Sequence, residues 1–422
     1  MKKTKNVLRI VWVISMLLHA QVVFAWWNTE VVDKRYFGIA ISLNSLAVGD
    51  NGNSHIVYFV DGEIIYAYHD KWNWHKEVVD NSEYPYNYPS IAVDTSGKPH
   101  IIYFNKGNEL MYSYKDSSEW LTEIVGDDIY QSKTSLALDR TDNPHICYYS
   151  LEVDEENWKT VLKYVYKDSS GWHDATAVSG STWRFSQPYS IALALDRTDN
   201  PHISYYSKEE VDEEHWKTVL KYVYKDSAGW HDEIVESDSV LSYTSSTALA
   251  LDTNDLPHIV SSISGDNASI TYAYKDSSGW HTEIVFNPIW SPKIRWGISP
   301  PSIALDINND PHISYGYATS ACSPVGLLLP CFFSAAIEYV EKNNLGWQRR
   351  TLDRTYGSGV YLGPSFPLPI IQFHGNFGVS SIALGLNGNP HILYTDYLEA
   401  VFMLNPFLTS KLKHAYKFGI GY

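Results

Sequence analysis

Histidine recurs at a fixed position of a short repeated pattern, and its imidazole could serve as a general base, a metal ligand or a hydrogen-bonding group. The octapeptide DRTDNPHI occurs at Asp139–Ile146 and again at Asp196–Ile203. Looser copies place the repeated histidine at His55, His100, His145, His202, His258, His312 and His391. A catalytic histidine acts at one site, so seven copies predict a structural need that arises seven times. We therefore expect each histidine to hydrogen-bond neighbouring backbone and to fix a hairpin.

An aspartate stands six residues before the repeated histidine in most copies. It is present as Asp94, Asp139, Asp196, Asp252 and Asp306, and Gly49 and Gly385 replace it in the first and last copies. Here we expect an Asx turn, in which the carboxylate accepts hydrogen bonds from nearby backbone. The surrounding spacing lacks the glycine and the terminal glutamate of a recognised calcium loop. The chain has no CxxC, HExxH, P-loop or GxGxxG motif either, so we expect neither a metal ion nor a cofactor.

Each copy of the repeat contains four short segments with the composition of β-strands. In the second copy these segments are SIAVD, HIIYF, LMYSYKD and EWLTEIV, and turn residues separate them. The repeated histidines lie 45 to 79 residues apart, the spacing of propeller blades with inserted loops. The sequence therefore predicts an all-β fold, a seven-bladed β-propeller in which each blade is a four-stranded antiparallel sheet.

The fourth segment begins with a tryptophan in six copies, and the seventh copy ends without one. The six are Trp74, Trp120, Trp172, Trp230, Trp280 and Trp347. The stretch WNTEVVD, Trp27–Asp33, matches WHTEIVF, Trp280–Phe286. We therefore predict that it pairs with LKHAYKF, Leu412–Phe418, and closes the ring, which removes open sheet edges. The last blade would comprise residues 380–422 together with 26–33, within a single propeller domain of residues 26–422.

The first residues have the features of a secretory signal peptide. Basic residues up to Arg9 precede a short apolar run, Ile10–Leu18, and Ala25 ends a stretch suited to cleavage. We expect residues 1–25 to be removed, which would make the protein secreted, periplasmic or cell-surface, with no transmembrane span in the mature chain. An uncleaved anchor is the alternative, although the apolar run is short for a membrane span.

Three cysteines are present. Cys322 and Cys331 flank SPVGLLLP and could form a disulfide in an oxidising compartment, whereas Cys147 lies in a strand pattern and reads as a small buried residue. The loop of residues 321–333 is strongly apolar. It could dock a partner, touch a membrane peripherally or fold over the propeller as a lid.

The pattern D-x-x-x-x-P-H-I-x-Y followed by Y-K-D-x-x-G-W resembles the repeats of secreted microbial β-propellers. These are distantly similar to the Asp-box propellers of sialidases and to seven-bladed bacterial lectins. The resemblance implies the propeller fold and says little about function, because propellers host unrelated activities. The sialidase motif S-x-D-x-G-x-T-W is absent, so no sialidase catalytic residue can be transferred to this chain.

Candidate ligand-binding residues lie where the repeats differ. The turns between strands one and two and between strands three and four are short, and they share one end of the ring, the short-turn side. The opposite end, the loop-bearing side, carries long and variable connections that are rich in aromatic and basic residues. The candidates are Tyr36, Tyr88, Tyr130, Trp183, Arg184, Tyr243, Trp290, Arg295, Trp296, Tyr361 and His374. Aromatic faces stack on sugar rings and arginines bind carboxylate or sulfate, although each residue could equally pack a loop.

The composition excludes one class of function and leaves three. A net charge of −16 argues against a general nucleic-acid binder, which needs a basic surface. We favour a non-catalytic, lectin-like propeller that binds a glycan or an extracellular or envelope protein, because no nucleophile or acid–base pair stands out. The alternatives are a polysaccharide hydrolase or lyase that uses His374, Tyr361 or Arg295, and a scaffold in an envelope assembly. Within the lectin hypothesis, the protein could also have one sugar site in every blade, contacted by the repeated histidines and tryptophans.

Overall fold

The fold is known from a computed structural model. It describes residues 26–35, 42–81, 89–126, 134–154, 157–182, 190–210, 216–238, 245–263, 268–288, 294–322, 328–362, 372–385, 387–402 and 405–418. The regular structure in these residues is β throughout, with 29 strands in seven sheets. Within the same ranges, no helix offers the length and apolar character needed to cross a bilayer.

Each sheet is one antiparallel blade, built in chain order from the axis of the ring outward. Blade 1 contains β2 (Ser42–Val48), β3 (Ser54–Val60), β4 (Glu63–His69) and β5 (Trp74–Asp80). Blade 2 contains β6 (Ser90–Val93), β7 (Pro99–Phe104), β8 (Leu110–Asp116) and β9 (Glu119–Gly126). Blade 3 contains β10 (Ser135–Leu138), β11 (Pro144–Asp154), β12 (Asn157–Asp168) and β13 (Gly171–Thr182).

The remaining blades follow the same order, and the last one uses both ends of the described chain. Blade 4 contains β14 (Ile191–Leu195), β15 (Pro201–Glu210), β16 (Trp216–Asp226) and β17 (Gly229–Asp238). Blade 5 contains β18 (Ser245–Leu251), β19 (Pro257–Ile263), β20 (Ser269–Asp276) and β21 (Gly279–Phe286). Blade 6 contains β22 (Ile294–Ile298), β23 (Ser302–Leu305), β24 (Pro311–Cys322), β25 (Leu328–Asn343) and β26 (Gly346–Leu362). Blade 7 contains β27 (Gln372–Leu384), β28 (Pro390–Phe402), β29 (Asn405–Phe418) and β1 (Trp26–Arg35).

The seven blades form a closed ring. The innermost strands β2, β6, β10, β14, β18, β23 and β27 each contact the next, and β27 contacts β2. Strand β1 pairs antiparallel with β29, from Trp27 opposite Lys417 to Asp33 opposite Leu412. The predicted seven-bladed propeller, with an N-terminal strand that completes the last blade, is therefore confirmed.

Blade 6 has an interrupted inner strand. Both β22 and β23 pair with β24, and the residues between them are Ser299, Pro300 and Pro301. Proline lacks the N–H that a ladder requires, so the two prolines break the strand. Ser299 keeps the break attached to β24, because its N–H donates to the carbonyl of Gly316 over 2.9 Å. In return its hydroxyl accepts from the N–H of Gly316 over 2.7 Å.

The outermost strand of every blade contains a β-bulge, which the alternating sequence pattern does not predict. In β17, for example, Ile234 and Glu236 pair with consecutive residues of β16, so Val235 is the extra residue. Val235 is buried, whereas its neighbour Ile234 is 52 % exposed. The bulge explains why two apolar residues follow each other in a strand that otherwise alternates. It also twists the outer edge of each blade, which hinders edge-to-edge aggregation.

Aromatic contacts join the blades all the way around the ring. A tryptophan of each outer strand meets, edge to face, a ring on the third strand of the preceding blade, with centroids 5.0–5.6 Å apart. The pairs are Tyr66–Trp120, Tyr112–Trp172, Tyr164–Trp230, Tyr222–Trp280, Tyr272–Trp347, Tyr339–Trp27 and His414–Trp74. Such pairs contribute about 0.5–1.5 kcal/mol each beyond the burial of their area.

Candidate functional site

The repeated histidines are part of the blade packing. In blades 1 to 6 the imidazole Nδ1 is hydrogen-bonded to a tyrosine hydroxyl on the third strand, at 2.7 Å in blade 1 and 2.5 Å in blades 2, 5 and 6. In blades 3 and 4 the partners are His145 with Tyr164 and His202 with Tyr222. The prediction that each histidine bonds to backbone is therefore wrong, because in these six blades Nδ1 bonds to a tyrosine hydroxyl instead. These six histidines are only 4–8 % exposed.

Burial determines where the protons lie in each unit of repeated histidine, third-strand tyrosine and turn aspartate. Burial raises the pKa of the partner tyrosines, such as Tyr112, and lowers the pKa of histidines such as His100. In blades 2 to 5 a protonated phenol therefore donates to Nδ1 of a neutral imidazole, whereas in blade 6 the Tyr339 hydroxyl donates to Glu341 over 2.6 Å. In blades 2 to 6 the other nitrogen, Nε2, faces the turn aspartate, at 3.6 Å in the pair His100–Asp94. The unit spans a turn and two strands.

The turn aspartates form Asx turns, as predicted. Oδ1 of Asp139 accepts from the N–H groups of Thr141 and Asn143, both over 2.8 Å. Asp142 completes the turn with a φ of 65°, in the left-handed region. Among the residues with a described position, no group of three or more histidine, cysteine or acidic side chains is arranged to hold a metal ion.

Replacing Tyr164 by phenylalanine is expected to destabilise the protein without affecting ligand binding. The change leaves the buried Nδ1 of His145 without its donor, which costs about 1–3 kcal/mol. The control is Tyr166→Phe, two residues along the same strand, where the half-buried ring stacks on His145. Urea unfolding of both variants measures the difference. Unchanged stability combined with lost ligand binding would show that the histidines are sugar contacts.

Most of the predicted ligand residues lie outside the described ranges. These are Tyr36, Tyr88, Tyr130, Trp183, Arg184, Tyr243 and Trp290. The backbone places the other four on the loop-bearing ends of blades 6 and 7. On β22, Arg295 pairs with Ser320 and Trp296 with Thr319. Tyr361 lies near the end of β26, and His374 near the start of β27.

Blades 6 and 7 are longer than the others on this side. The three outer strands of blade 6 have 12, 16 and 17 residues, whereas those of blade 1 have 7 each. At ~3.3 Å per residue, β25 and β26 therefore reach about 30 Å further than their blade 1 counterparts. Cys322 and Cys331 are opposite each other on β24 and β25. Their disulfide stays a prediction.

A charged group is buried at the junction of blades 5 and 6. Glu338, on β25, is only 1 % exposed. Its two carboxylate oxygens accept from Oγ1 of Thr351, over 2.9 and 3.1 Å, and Nη2 of Arg354 is 3.6 Å away. Burial raises the pKa of Glu338 above its usual value, although Thr351 and the charges of Arg349 and Arg354 act in the opposite direction.

Two arginines flank an aromatic pair beside this carboxyl group. Phe286, from blade 5, stacks on Tyr317 of blade 6 with centroids 5.4 Å apart. The Arg349 guanidinium lies over the Phe286 ring at 5.6 Å, and Nη2 of Arg354 donates to the Tyr317 hydroxyl over 3.1 Å. The Arg354 side chain is 38 % exposed. We name these five residues, Phe286, Tyr317, Glu338, Arg349 and Arg354, the blade 5–6 cluster.

Departure from the repeat was the signal that could have revealed the cluster. Phe286 ends an outer strand at a position where three other blades have Asp33, Asp80 and Asp353. Glu338 occupies a third-strand position that holds no acid in the other copies. Arg354 follows directly on Asp353 and lies in β26, although the sequence alone suggested a connection after blade 6. Sequence comparison of the copies could thus find these residues, but not their proximity.

The two junctions of blade 7 pair their cations with carboxylates at shorter distances. Between blades 6 and 7, Nζ of Lys413 lies 2.6 Å from Asp353 and 2.8 Å from Asp396. Between blades 7 and 1, Asp33 accepts from the Tyr58 hydroxyl over 2.7 Å and lies 3.2 Å from Lys76. Burial acts to raise the pKa of Asp33, but this hydrogen bond and the nearby cations hold it below its usual value.

Comparisons with known proteins show the fold. No model of a protein family matches the chain, and no curated protein matches it. Among solved structures, it is similar to a polysaccharide lyase, the PL25 ulvan lyase bound to -[GlcA(1-4)Rha3S]-, with 11 % identity over 90 % of this chain and 95 % of the lyase and a TM-score of 0.53. It is also similar to the BP39L lectin from Burkholderia pseudomallei, with 10 % identity over 87 % of this chain and 97 % of the lectin and a TM-score of 0.49. The chain is therefore a seven-bladed β-propeller, with a fold similar to that of a polysaccharide lyase.

Proposed function

We propose that this protein is a secreted, non-catalytic propeller that binds a glycan on its loop-bearing side. The observation that carries the proposal is the extension of blades 6 and 7, which brings the backbone of Arg295, Trp296, Tyr361 and His374 to one side of the ring. Indole and phenol rings offer stacking surfaces for sugars, and guanidinium groups bind their acidic substituents. The similar ulvan lyase, solved bound to -[GlcA(1-4)Rha3S]-, supports this choice of ligand class.

A glycan array tests the proposal with three forms of the protein. The native protein is expected to bind, and an Arg295→Ala, Trp296→Ala double variant is expected to bind at least about 30-fold more weakly, since losing a central anchor costs ~2 kcal/mol or more. The control is Trp72→Ala, because Trp72 is 75 % exposed in the β4–β5 turn on the short-turn side. Equal losses in both variants, or no glycan bound by the native protein, would contradict the proposal.

A lyase activity is the second candidate, and the blade 5–6 cluster is the observation that favours it. In such a reaction a base removes the proton next to a uronate carboxylate, the bond to the leaving sugar oxygen breaks, and a carbon–carbon double bond forms. The Tyr317 hydroxyl could transfer the proton, and Arg354 could neutralise the uronate. Product with unsaturated ends, seen by ultraviolet absorbance, would favour this function. Co-purification of an envelope protein without any glycan response would favour the scaffold alternative.

A further inference from the structure

We infer that the blade 5–6 cluster binds an anionic group of the ligand, a carboxylate or sulfate on an acidic sugar. The inference rests on the proposed function and narrows it, because it makes the glycan an acidic one. It depends on three features of the described residues: the charge of the cluster, the way its arginines are held, and its position on blade 6.

The charge of the cluster favours an anion. Arg349 and Arg354 are two permanent cations, and both side chains are exposed. Glu338 is the carboxyl group that faces them, and its raised pKa makes it easier to neutralise than an ordinary glutamate. The junctions on either side of blade 7 differ, because there the cations contact carboxylates at 2.6–3.2 Å. Two exposed guanidinium groups beside one buried carboxyl group offer N–H donors to a negatively charged substituent.

The arginines are held in place before any ligand arrives. The stacked rings of Phe286 and Tyr317 form a fixed support, since Phe286 is buried and packs in the core between blades 5 and 6. Arg349 lies over one ring and Arg354 bonds the hydroxyl of the other. A guanidinium that is already oriented loses little conformational freedom on binding, and its fork of N–H groups matches the oxygens of carboxylate and sulfate.

The arginines of the cluster lie on the same blade as part of the proposed glycan site. Arg354 pairs with Ala336 on β25, Ala336 with Tyr317 on β24, and Tyr317 with Ile298 on β22. These four residues form one row across blade 6. Trp296 lies two residues before Ile298 on the same strand, toward the loop-bearing end. Ala336 and Ile298 are buried, so the row gives the arginines a fixed position on the same blade as Trp296.

Calorimetry with matched probes and variants tests the inference. The probes are a sulfated and a uronic oligosaccharide, each compared with its neutral counterpart, at low and moderate salt. We expect Arg349→Gln and Arg354→Gln each to weaken binding of the acidic probes at least about tenfold, the loss typical of one charge-assisted contact. Glu338→Gln keeps an acceptor for Thr351 but removes the negative charge, so it is expected to tighten the same binding.

The control is Arg350→Gln, because Arg350 lies on the same strand but on its opposite face, toward blade 7. The charge of Arg350 acts on Tyr339 and Glu341, which face blade 7, so its loss should leave binding nearly unchanged. An equal loss from Arg350→Gln would reveal unspecific attraction and overturn the inference. Binding of neutral sugars alone would overturn it while leaving the glycan proposal intact, whereas no sugar binding would refute both. Should a glutamine variant fail to fold, Arg354→Lys, which keeps the charge and loses the fork, is expected to bind more weakly than the native protein.

Discussion

A chain that lacks residues 1–35 is expected to lose its cooperative fold, whereas a chain that begins at Trp26 is expected to fold like the full-length protein. Strand β1 supplies the outer quarter of blade 7 and contacts both neighbouring blades. Trp27 packs against Tyr339 of blade 6 with centroids 5.0 Å apart. On the other side, Glu30 accepts from the indole N–H of Trp74 over 3.2 Å, and the buried Asp33 accepts from Tyr58.

The expected loss is large compared with the stability of a typical protein. Truncating one buried aromatic residue costs about 3–5 kcal/mol, and here a tryptophan, the buried Val32 and a complete ladder of hydrogen bonds are removed together. Total stabilities are only about 5–15 kcal/mol. Thermal unfolding and size-exclusion chromatography measure the outcome. A cooperative, monomeric transition in the shortened chain near the native melting temperature would refute the closure model.

Acid is expected to weaken the ring first at the junction of blades 7 and 1. This junction alone has His414 in place of the third-strand tyrosine, and Ser54 in place of the proline that precedes the other repeated histidines. The Ser54 hydroxyl takes the place of the phenol, since it lies 2.9 Å from Nδ1 of His391 and 3.3 Å from Nε2 of His414. Blades 1 and 7 also lack the turn aspartate, and a Cβ on Gly385 would lie only 3.2 Å from Nε2 of His391.

The direction of the effect follows from the pKa values. Burial lowers the pKa of His391 to about 4, and it holds the pKa of the buried His414 well below its usual value. Unfolded histidine titrates near 6.5. Below that pH the histidines of the unfolded chain bind protons, whereas those at the folded junction of blades 7 and 1, which we call the seam, stay neutral. The free energy of unfolding therefore falls until the pH reaches about 4. A shift of this size is worth ~3 kcal/mol for each histidine.

Other charged groups surround the seam and must be held constant. His69 lies 3.4 Å from Glu30, Tyr416 donates to Glu30, and Trp74 packs on His414. The test is therefore a double substitution, Ser54→Pro with His414→Tyr, which gives the seam the residues of the other six junctions. It is expected to recover about 2–3 kcal/mol of the stability that the native protein loses between pH 7 and pH 4, while changing little at pH 7.

The reciprocal change is the matched control. The double variant Tyr112→His with Pro144→Ser gives the junction of blades 2 and 3 the same residue types as the seam. It should make that junction more sensitive to acid. Urea unfolding at several pH values measures both variants. Parallel pH profiles for the native protein and the two variants would show that the seam histidines do not govern the acid response.

Much of the fold could be predicted because aligning the copies of the repeat shows which positions they share. Seven aligned histidines set the number of blades, and the surplus tryptophan segment at Trp27 could pair only with a blade that lacked its own. The outer-strand bulges were missed, since the motif EIV or EVV fits a continuous alternating strand as well as a bulged one. The histidine partner was also misjudged, because Tyr164 and its equivalents lie 11 to 27 residues away in the chain.

The amino-acid sequence by itself determined the all-β architecture, the number of blades and the pairing that closes the ring, since these follow from the period of the repeat and from its missing segment. Only the tertiary structure decided which side chains share a site. Phe286 and Arg349 come from different blades, and Glu338 is one of two acids, with Glu341, that distinguish its strand from the six counterparts. Burial between two packed sheets raises the pKa of Glu338 beside two arginines, and burial depends on neighbours that are distant in the chain.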